Sequence, residues 1–409
     1  MARPPTPLKS DKNAPKSDKA APVFTGSSAL MRGLAMAKKM LPEVVKTSFV
    51  ELDPDAMTES LPHLPTGSVI IDYLIGGEPN SRGVQPCPGL PRGRVAQVWG
   101  HESAGKTTLA LTAAATVCAR GGTVLYIDWE NDIVPDYAET LGVPILDPER
   151  FQLHQPDTLE DGIKLAMVFA TAGVDLIIFD SIGSAIPARI ANRELEEAGE
   201  QSRVGEEQQV WSRELPNLKR IINQKGTCVF GISQVRAKIG MTGYGPTSQP
   251  QGGNAWKFYS AVRLELTRVK SETQKVVNTL TNKSDDRVIG GIIECKVIKC
   301  KLSKSQGRKD QFYIRWGEGI DDRRSILEIA VANGVIKRSG NWLSWTAPSG
   351  QEMRHNGMES FRKDLLKNPD NFNVLVQAVL PLLSGGGKVE AVEVDEDDDM
   401  DGLDSSLIE

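Results

Sequence analysis

The sequence predicts an α/β protein built on a mostly parallel central sheet with helices on both faces. Three observations carry this. Unbroken apolar segments such as VDLIIFD (174–180) and CVFGIS (228–233) alternate with helical patterns, and strands buried on both faces belong to parallel sheets. A GHESAGKT run (100–107) sits where one such strand gives way to a helix. After residue 255 the strand-like runs follow one another directly, as in an antiparallel extension.

The elements follow in order. The 409 residues are 40% hydrophobic and 25% charged, ordinary globular usage that supplies a sizeable core and excludes wholesale disorder. Residues 1–28 hold five Lys or Arg, two acids and five prolines and read as a disordered basic arm. ALMRGLAMAKKMLPEVVK (29–46) has the apolar spacing of a short packing helix. GRVAQVW (93–99) reads as a strand, KTTLALTAAATVCAR (106–120) as a helix and TVLYIDW (123–129) as a strand followed by a helix through Ala138. TLEDGIKLAMVFATA (158–172) is a helix, and so is VWSRELPNLKRIINQ (210–224), where Pro216 invites a kink. AVRLELTRV, IIECKVIKCKL and DQFYIRW form the later strands. Beyond about residue 322 the pattern is helical up to Leu383, and SGGGK (384–388) links it to a tail.

Charge and cysteine content narrow the function classes. Residues 390–409 hold ten acids and no Lys or Arg, so the remaining residues carry 48 basic groups against 43 acids. A mildly basic body with an acidic tail is compatible with a nucleic-acid protein whose tail competes with phosphate, though charge alone favours a solubilising disordered tail. No apolar run reaches ~18 residues and no apolar h-region opens the chain, so neither a transmembrane helix nor a signal peptide is expected. The five cysteines form no CxxC pair, which fits a reducing cytoplasm better than a disulfide scaffold or a zinc site.

The chemistry concentrates at the strand ends. Gly100, Glu102, Ser103, Ala104, Gly105, Lys106 and Thr107 belong to a full GxxxxGK[ST], continued by Thr108. Its glycines let backbone N–H groups curl round phosphates, Lys106 supplies a charge to the β/γ-phosphates, and the Thr107 hydroxyl can bind Mg²⁺. Asp180 ends an apolar strand where sheet ligands bind, and suits a water-mediated Mg²⁺ partner. Glu130, directly after TVLYIDW, is placed one strand over from the phosphate loop; it orients an attacking water or merely begins a helix. Gln234 and Arg236 follow CVFGIS, and AKIGMTGYGPTSQPQGGN (237–254) has five glycines and two prolines in 18 residues, a length that marks a functional or disordered loop. A second long, charged loop is expected over roughly residues 185–205. Two such loops on one sheet edge could hold a ligand larger than a nucleotide. Lys299 and Lys301, two apart on a strand, share a face; spacing alone favours a solvated pair.

Taken together these residues resemble the RecA family of DNA strand-exchange recombinases. GHESAGKTTL (100–109) is close to the family's GPESSGKTTL, and YIDWE (126–130), VDLIIFDSI (174–182), ISQVRAKIG (232–240), GGNAWKFYSAVRLEL (252–266) and WGEGI (316–320) match its later segments in order. GNWLSWT (340–346) with ESFRKDLLKNP (359–369) resembles its small C-terminal domain. The resemblance implies a RecA-type P-loop ATPase core with a mostly parallel sheet, a short N-terminal helix and a small α/β C-terminal domain. It divides the chain into a disordered basic arm (1–28), an oligomerisation helix and linker (29–60), the ATPase core (61–321), the C-terminal domain (322–385) and a disordered acidic tail (386–409).

It also implies ATP and Mg²⁺ as cofactors, single- and double-stranded DNA as partners, and a helical filament of identical subunits in the cytoplasm, away from membranes and with single-strand-binding and loader proteins nearby. Glu130 would activate water, Gln234 would sense the γ-phosphate, and Lys299 and Lys301 would reach a neighbour's ATP. Tyr137 would stack on adenine. Val204, Gly205, Arg236, Lys238, Ile239, Gly240, Gly252, Gly253 and Asn254 would meet DNA. The chain departs from the pattern in places. Val134 stands where the family has an Asp contacting the adenine amine, Gln209 and Pro216 replace DNA-contacting arginines with Arg213 as the nearby substitute, and EPNSRGVQPCPG (78–89) is an insertion. The divergence suits a phage or otherwise distant member. A hexameric helicase on the same core and a non-catalytic ATP-binding DNA coat are the rival readings; the first usually carries a larger N-terminal module, and the retained Glu130 and Lys106 argue against the second.

Overall fold

The computed structural model describes residues 26–48, 59–191, 200–237, 248–277, 284–347 and 350–383. The basic arm up to residue 25, the acidic tail and residues 238–247 of the glycine-rich segment lie outside them; residues 26–28, expected to belong to the disordered arm, are instead the first turn of a helix. Residues up to Met57 form a unit of their own. In it the single helix expected over 29–46 is two, α1 (Gly26–Met40) and α2 (Pro42–Ser48), because Pro42 lacks an N–H and disfavours helical backbone at Leu41.

The second unit begins with a two-strand ladder, β1 (His63–Leu64) against β2 (Leu90–Pro91), enclosing α3 (Val69–Gly76), whose N-terminus is capped by Ser68. The sheet-and-helix alternation follows: β3 (Val95–Gly100), α4 (Lys106–Ala119), β4 (Val124–Asp128), α5 (Pro135–Thr140), β5 (Phe151–His154), α6 (Leu159–Ala172), β6 (Leu176–Asp180), α7 (Ala188–Ala191), α8 (Glu200–Lys225) and β7 (Cys228–Ala237). Then come β8 (Ser248–Pro250), α9 (Gly253–Tyr259), the long hairpin β9 (Ser260–Val277) and β10 (Ser284–Cys300), β11 (Lys309–Arg315), β12 (Gly319–Ile320) and α10 (Asp322–Ala332). The expected helical ending is instead a small antiparallel sheet, β13 (Lys337–Ser339), β14 (Trp342–Thr346) and β15 (Glu352–Asn356), before α11 (Met358–Lys367) and α12 (Pro369–Val379).

Among the described residues the main sheet has ten strands in the order β12-β11-β10-β9-β3-β7-β6-β4-β5, with β8 paired to β7. From β9 to β5 every pair is parallel; β9 to β12 are antiparallel. Period-two alternation sends Ala96, Val98, Tyr126, Ile178 and Phe230 to a core under α3 and α4, and Val95, Leu125, Ile177, Phe179 and Val229 to a second core under α6, α8 and α9. Rings fix the second cover: Trp129 stacks on Phe179 at 5.3 Å, Phe179 meets Trp211 of α8 at 5.6 Å, and Trp211 meets Trp256 of α9 at 5.1 Å. Gly231 leaves the room for this, since a Cβ there would lie 2.5 Å from the Trp256 ring. The strands that carry Glu130 and Asp180 are thereby clamped just below their ends.

Candidate nucleotide and DNA site

β3 ends at Gly100 and α4 begins at Lys106, so five residues wrap the helix N-terminus. Gly105 has φ +83°, and a Cβ there would lie 2.2 Å from Ile314 Cδ1; one on Gly100 would lie 2.3 Å from the Leu266 carbonyl oxygen. Only glycine lets the loop press this closely on β9 and β11. Ala104 is buried beneath it, Ser103 takes a left-handed backbone, and Glu102 stays exposed. The free N–H groups of the first helical turn form an anion-binding end. Lys106 Nζ reaches back to donate to the His101 carbonyl at 2.8 Å. Burial lowers its pKa, while Asp180, Glu130 and Glu102 oppose that.

Thr107 Oγ1 donates to Asp180 Oδ2 at 2.9 Å, and Tyr126 OH donates to the same oxygen at 2.7 Å. Burial, with Glu130 and Asp128 nearby, pushes the Asp180 carboxyl up to about 6 even so.

Glu130 corrects one expectation. Its strand is not next to β3; β7 and β6 lie between. The turn after β4 bridges the gap. Asp128 Oδ1 accepts from the N–H groups of Glu130 (3.0 Å) and Asn131 (2.9 Å), which aims the Glu130 side chain back across the sheet. Its Oε1 accepts from Gln234 Nε2 at 2.9 Å, from Ser184 Oγ at 2.8 Å and from Ser181 Oγ. Ser181 and Ser184 were not singled out in the sequence; the hydroxyls in DSIGS directly after Asp180 were the available signal.

A cavity of about 540 Å³ opens over the loop. Ser103, Gly105, Lys106, Thr107 and Thr108 line one end; Tyr137, Arg268, Val288, Trp316 and Gly317 complete it. Tyr137 OH lies 3.0 Å from Thr108 Oγ1, and burial raises its pKa. Val134 caps α5, is exposed, and does not line the cavity. Arg268, Val288 and Trp316 were missed as individual residues, because strands over 130 residues downstream deliver them. A larger cavity of about 850 Å³ lies between β9 to β11 and α10. Its charges are largely satisfied within the wall, Lys309 by Glu294 at 3.2 Å and Arg324 by Glu328 at 2.6 Å, and no motif residue reaches it.

The residues expected at DNA are partly gathered. β7 runs on past its predicted end to Ala237 and pairs with β8, Val235 opposite Pro250 and Ala237 opposite Ser248. Arg236 lies in this ladder opposite Gln249. Gln251 N–H donates to the Gln234 carbonyl at 3.0 Å. The base of the glycine-rich segment is therefore strapped to the residue that holds Glu130; Lys238, Ile239 and Gly240 lie outside the described residues. Gly252 (φ +92°) and Gly253 (φ +65°) start α9, where Cβ atoms would strike Ile182 and Gln208, and Asn254 is exposed beside them. Val204 and Gly205 are not the end of a loop: α8 begins at Glu200 and contains both. Arg213 is exposed on α8 and paired to its neighbour Glu214 at 2.6 Å.

Lys299 is the penultimate residue of β10, and Lys301 lies just past the strand. Their ammonium groups still converge, both donating to the Phe258 carbonyl at 3.3 Å, with Lys299 also on the Lys257 carbonyl at 2.6 Å. Burial and the nearby Lys301, Arg263 and Lys257 bring Lys299 down to about 8. Lys301 N–H donates to the Ala261 carbonyl at 2.9 Å, and β9 and β3 run parallel from Ser260 opposite Val95 to Leu266 opposite Gly100. The lysines thus sit at the start of β3, whereas the phosphate loop leaves its end, about 16 Å further along at ~3.3 Å per residue.

No helix among the described residues is long and apolar enough to cross a membrane. A model of the RecA N-terminal domain matches residues 33–321, more than half the chain. The chain is 34% identical over 327 residues to Protein RecA of Mycolicibacterium gilvum, covering 80% of this chain and 84% of that relative. It is 33% identical over 334 residues to Protein RecA of Nocardia farcinica, covering 81% and 87%, and 33% identical over 341 residues to that of Mycobacteroides abscessus, covering 83% and 89%. With the phosphate loop, the Glu130 cluster and the strapped glycine-rich segment on one sheet edge, the chain belongs to the RecA family, DNA-dependent P-loop ATPases of recombination and repair.

Proposed function

We propose that this protein assembles as a helical filament on single-stranded DNA with ATP and Mg²⁺, pairs that strand with homologous duplex, and hydrolyses ATP to release it. The observation that carries the reading is Glu130 Oε1 held by Gln234, on the strand whose continuation straps the glycine-rich segment. A γ-phosphate that takes the Gln234 amide removes one donor from Glu130. That frees an acceptor position on the carboxylate for an attacking water and pulls on the strap at once. Nucleotide and DNA are coupled through one side chain, and the coupling is reciprocal.

The other residues take their parts from geometry. Lys106 turns from the His101 carbonyl to the β/γ-phosphates. The Thr107 hydroxyl and the Asp180 carboxylate, side by side and the latter buried, fit Mg²⁺. Among the described residues no three His, Cys, Asp or Glu gather to hold an ion unaided, so the ion shares its ligands with phosphate oxygens and water. When bound it neutralises charge on those oxygens. Tyr137 and Trp316 flank the end left for the base. Lys299 and Lys301, at the far end of β3, serve the nucleotide of an adjacent subunit rather than their own.

We assign residues 322–383 to a small C-terminal domain, joined to the core by Arg362 on Asp321 at 3.3 Å and Arg315 on Glu359 at 3.2 Å. Homology is read by base pairing. The protein works in the cytoplasm, with single-strand-binding and loader proteins as accessories; its five cysteines are all free thiols. Electron microscopy with ATP and single-stranded DNA tests the reading. Long helical filaments are expected from the native protein and none from Lys106→Ala. Closed hexameric rings would establish the helicase alternative instead.

A further inference from the structure

One oxygen of Glu130 carries all of that side chain's partners. Oε1 accepts from Gln234 Nε2 at 2.9 Å, from Ser184 Oγ at 2.8 Å and from Ser181 Oγ; among the described residues no bond falls on Oε2. Ser181 directly follows Asp180, whose Oδ2 takes the Thr107 hydroxyl at 2.9 Å, so the cluster adjoins the phosphate loop. The mechanism proposed above uses Gln234 and leaves the two serines without a part.

The three donors are not equivalent. Gln234 has a second acceptor to serve, the γ-phosphate. The serines belong to the frame. Their turn after β6 is tied to β7 by Ile182 N–H on the Ile232 carbonyl at 2.8 Å and closed by Ser184 N–H on the Ser181 carbonyl at 3.2 Å. β4 is tied to the same place, with Trp129 N–H on the Asp180 carbonyl at 2.7 Å. The two hydroxyls lie 2.9 Å apart and each has one proton to give. Once Gln234 turns to phosphate, those two protons are all that hold the carboxylate. They keep Oε1 in place, so the acceptor position that the amide vacates still points to where the amide went. A carboxylate without them is free to rotate out of line, and a small misplacement of a reacting group is costly. Ser181 is fully buried and adjoins Asp180, so its removal would disturb the ion position as well; Ser184 is half-buried and can be changed alone.

We propose that Ser184 is a positioning residue for hydrolysis: with Ser181 it pins Glu130 Oε1 after Gln234 has left, and so aims the vacated acceptor position at the attacking water. The inference rests on the reading of Glu130 as the group that activates water, and deepens it by assigning what holds that group during the step.

The test is steady-state and single-turnover ATP hydrolysis by the full-length protein with Mg²⁺ and single-stranded DNA. Ser184→Ala should lower kcat and the single-turnover rate about tenfold, the value of one hydrogen bond to a charged group. KM, nucleotide affinity, DNA affinity and melting temperature should stay as in the native protein. Ser184→Thr keeps the hydroxyl and should recover most of the rate. In a Glu130→Gln background Ser184→Ala should cost nothing more, because the base that it positions is gone. Native turnover in Ser184→Ala would overturn the proposal. So would the same loss in both backgrounds, which is the mark of a merely structural role. Turnover that survives Glu130→Gln refutes the reading of Glu130 itself, a result separable from a Ser184 that makes no difference.

Discussion

Glu130 illustrates how far single residues could be read. Its place after TVLYIDW was visible, and the water-orienting and helix-start readings stood level. Geometry bears on the helix-start reading: the adjacent helix begins only at Pro135, and the carboxylate oxygen collects Gln234 and two serine hydroxyls. Glu130→Gln keeps the size and removes the base. Nucleotide binding should persist while DNA-stimulated phosphate release falls ~10²-fold or more, measured as turnover beside a binding titration. Unchanged turnover would return Glu130 to a structural role. Arg268 was not legible, because nothing local marks it, and Trp316 was visible only as the first residue of WGEGI, with no role attached. They reach the cavity only through the pairing of β9 with β3 and of β10 with β11, a register set by residues far from either.

Among the elements, those with apolar periodicity were readable and those without it were not. α6 and β6 were found nearly to the residue. α8 was cut short because its first ten residues, EQSRVGEEQQ, carry almost no apolar side chains; the helix is anchored further along by Trp211, Leu215, Leu218 and Ile222. α3 was missed although it is nearly all buried, since a short apolar run has no period to read. The joint between α3 and α10 yields a prediction. Asp322 Oδ2 accepts from Val69 N–H at 2.6 Å, and Asp72 Oδ1 from Thr66 N–H at 2.8 Å. Burial, with each carboxyl near other acids, lifts Asp72 to about 7 and Asp322 to about 6. A carboxyl whose folded pKa is raised favours folding while protonated. Stability should therefore decline as pH rises from about 4 to about 7 and level off above. Asp72→Asn keeps the acceptor and removes the titration. Asp72 keeps some contact with water, so the gain should be modest, about 1–2 kcal/mol at pH 8 and none at pH 4. Denaturant melts at the two pH values check it; a gain of equal size at both would refute the assignment.

At the scale of the whole molecule, the sheet separates two groups of residues that the proposed chemistry needs together. The phosphate loop and Glu130 lie at the carboxyl ends of the parallel strands; Lys299 and Lys301 lie at the amino end of β3. No single chain can bring them to one phosphate without a neighbour. The double variant Lys299→Ala, Lys301→Ala should still bind nucleotide through its own loop and lose most DNA-stimulated hydrolysis. Mixed with Glu130→Gln, it should recover part of that activity, because some interfaces then join an intact Glu130 to an intact lysine pair. Turnover that stays proportional to concentration in dilute monomer and ignores the double variant would remove the lysines from the reaction.

The separation has an arithmetical consequence. A polymer in which each boundary completes one site has one fewer complete site than it has subunits, and the subunit at one terminus holds a nucleotide it cannot spend. Turnover per subunit then climbs with polymer length and saturates, so it doubles as a ruler for mean length. The idle terminus gives the polymer a direction in time as well as in space: one end keeps its triphosphate, and shedding has to begin elsewhere along the row.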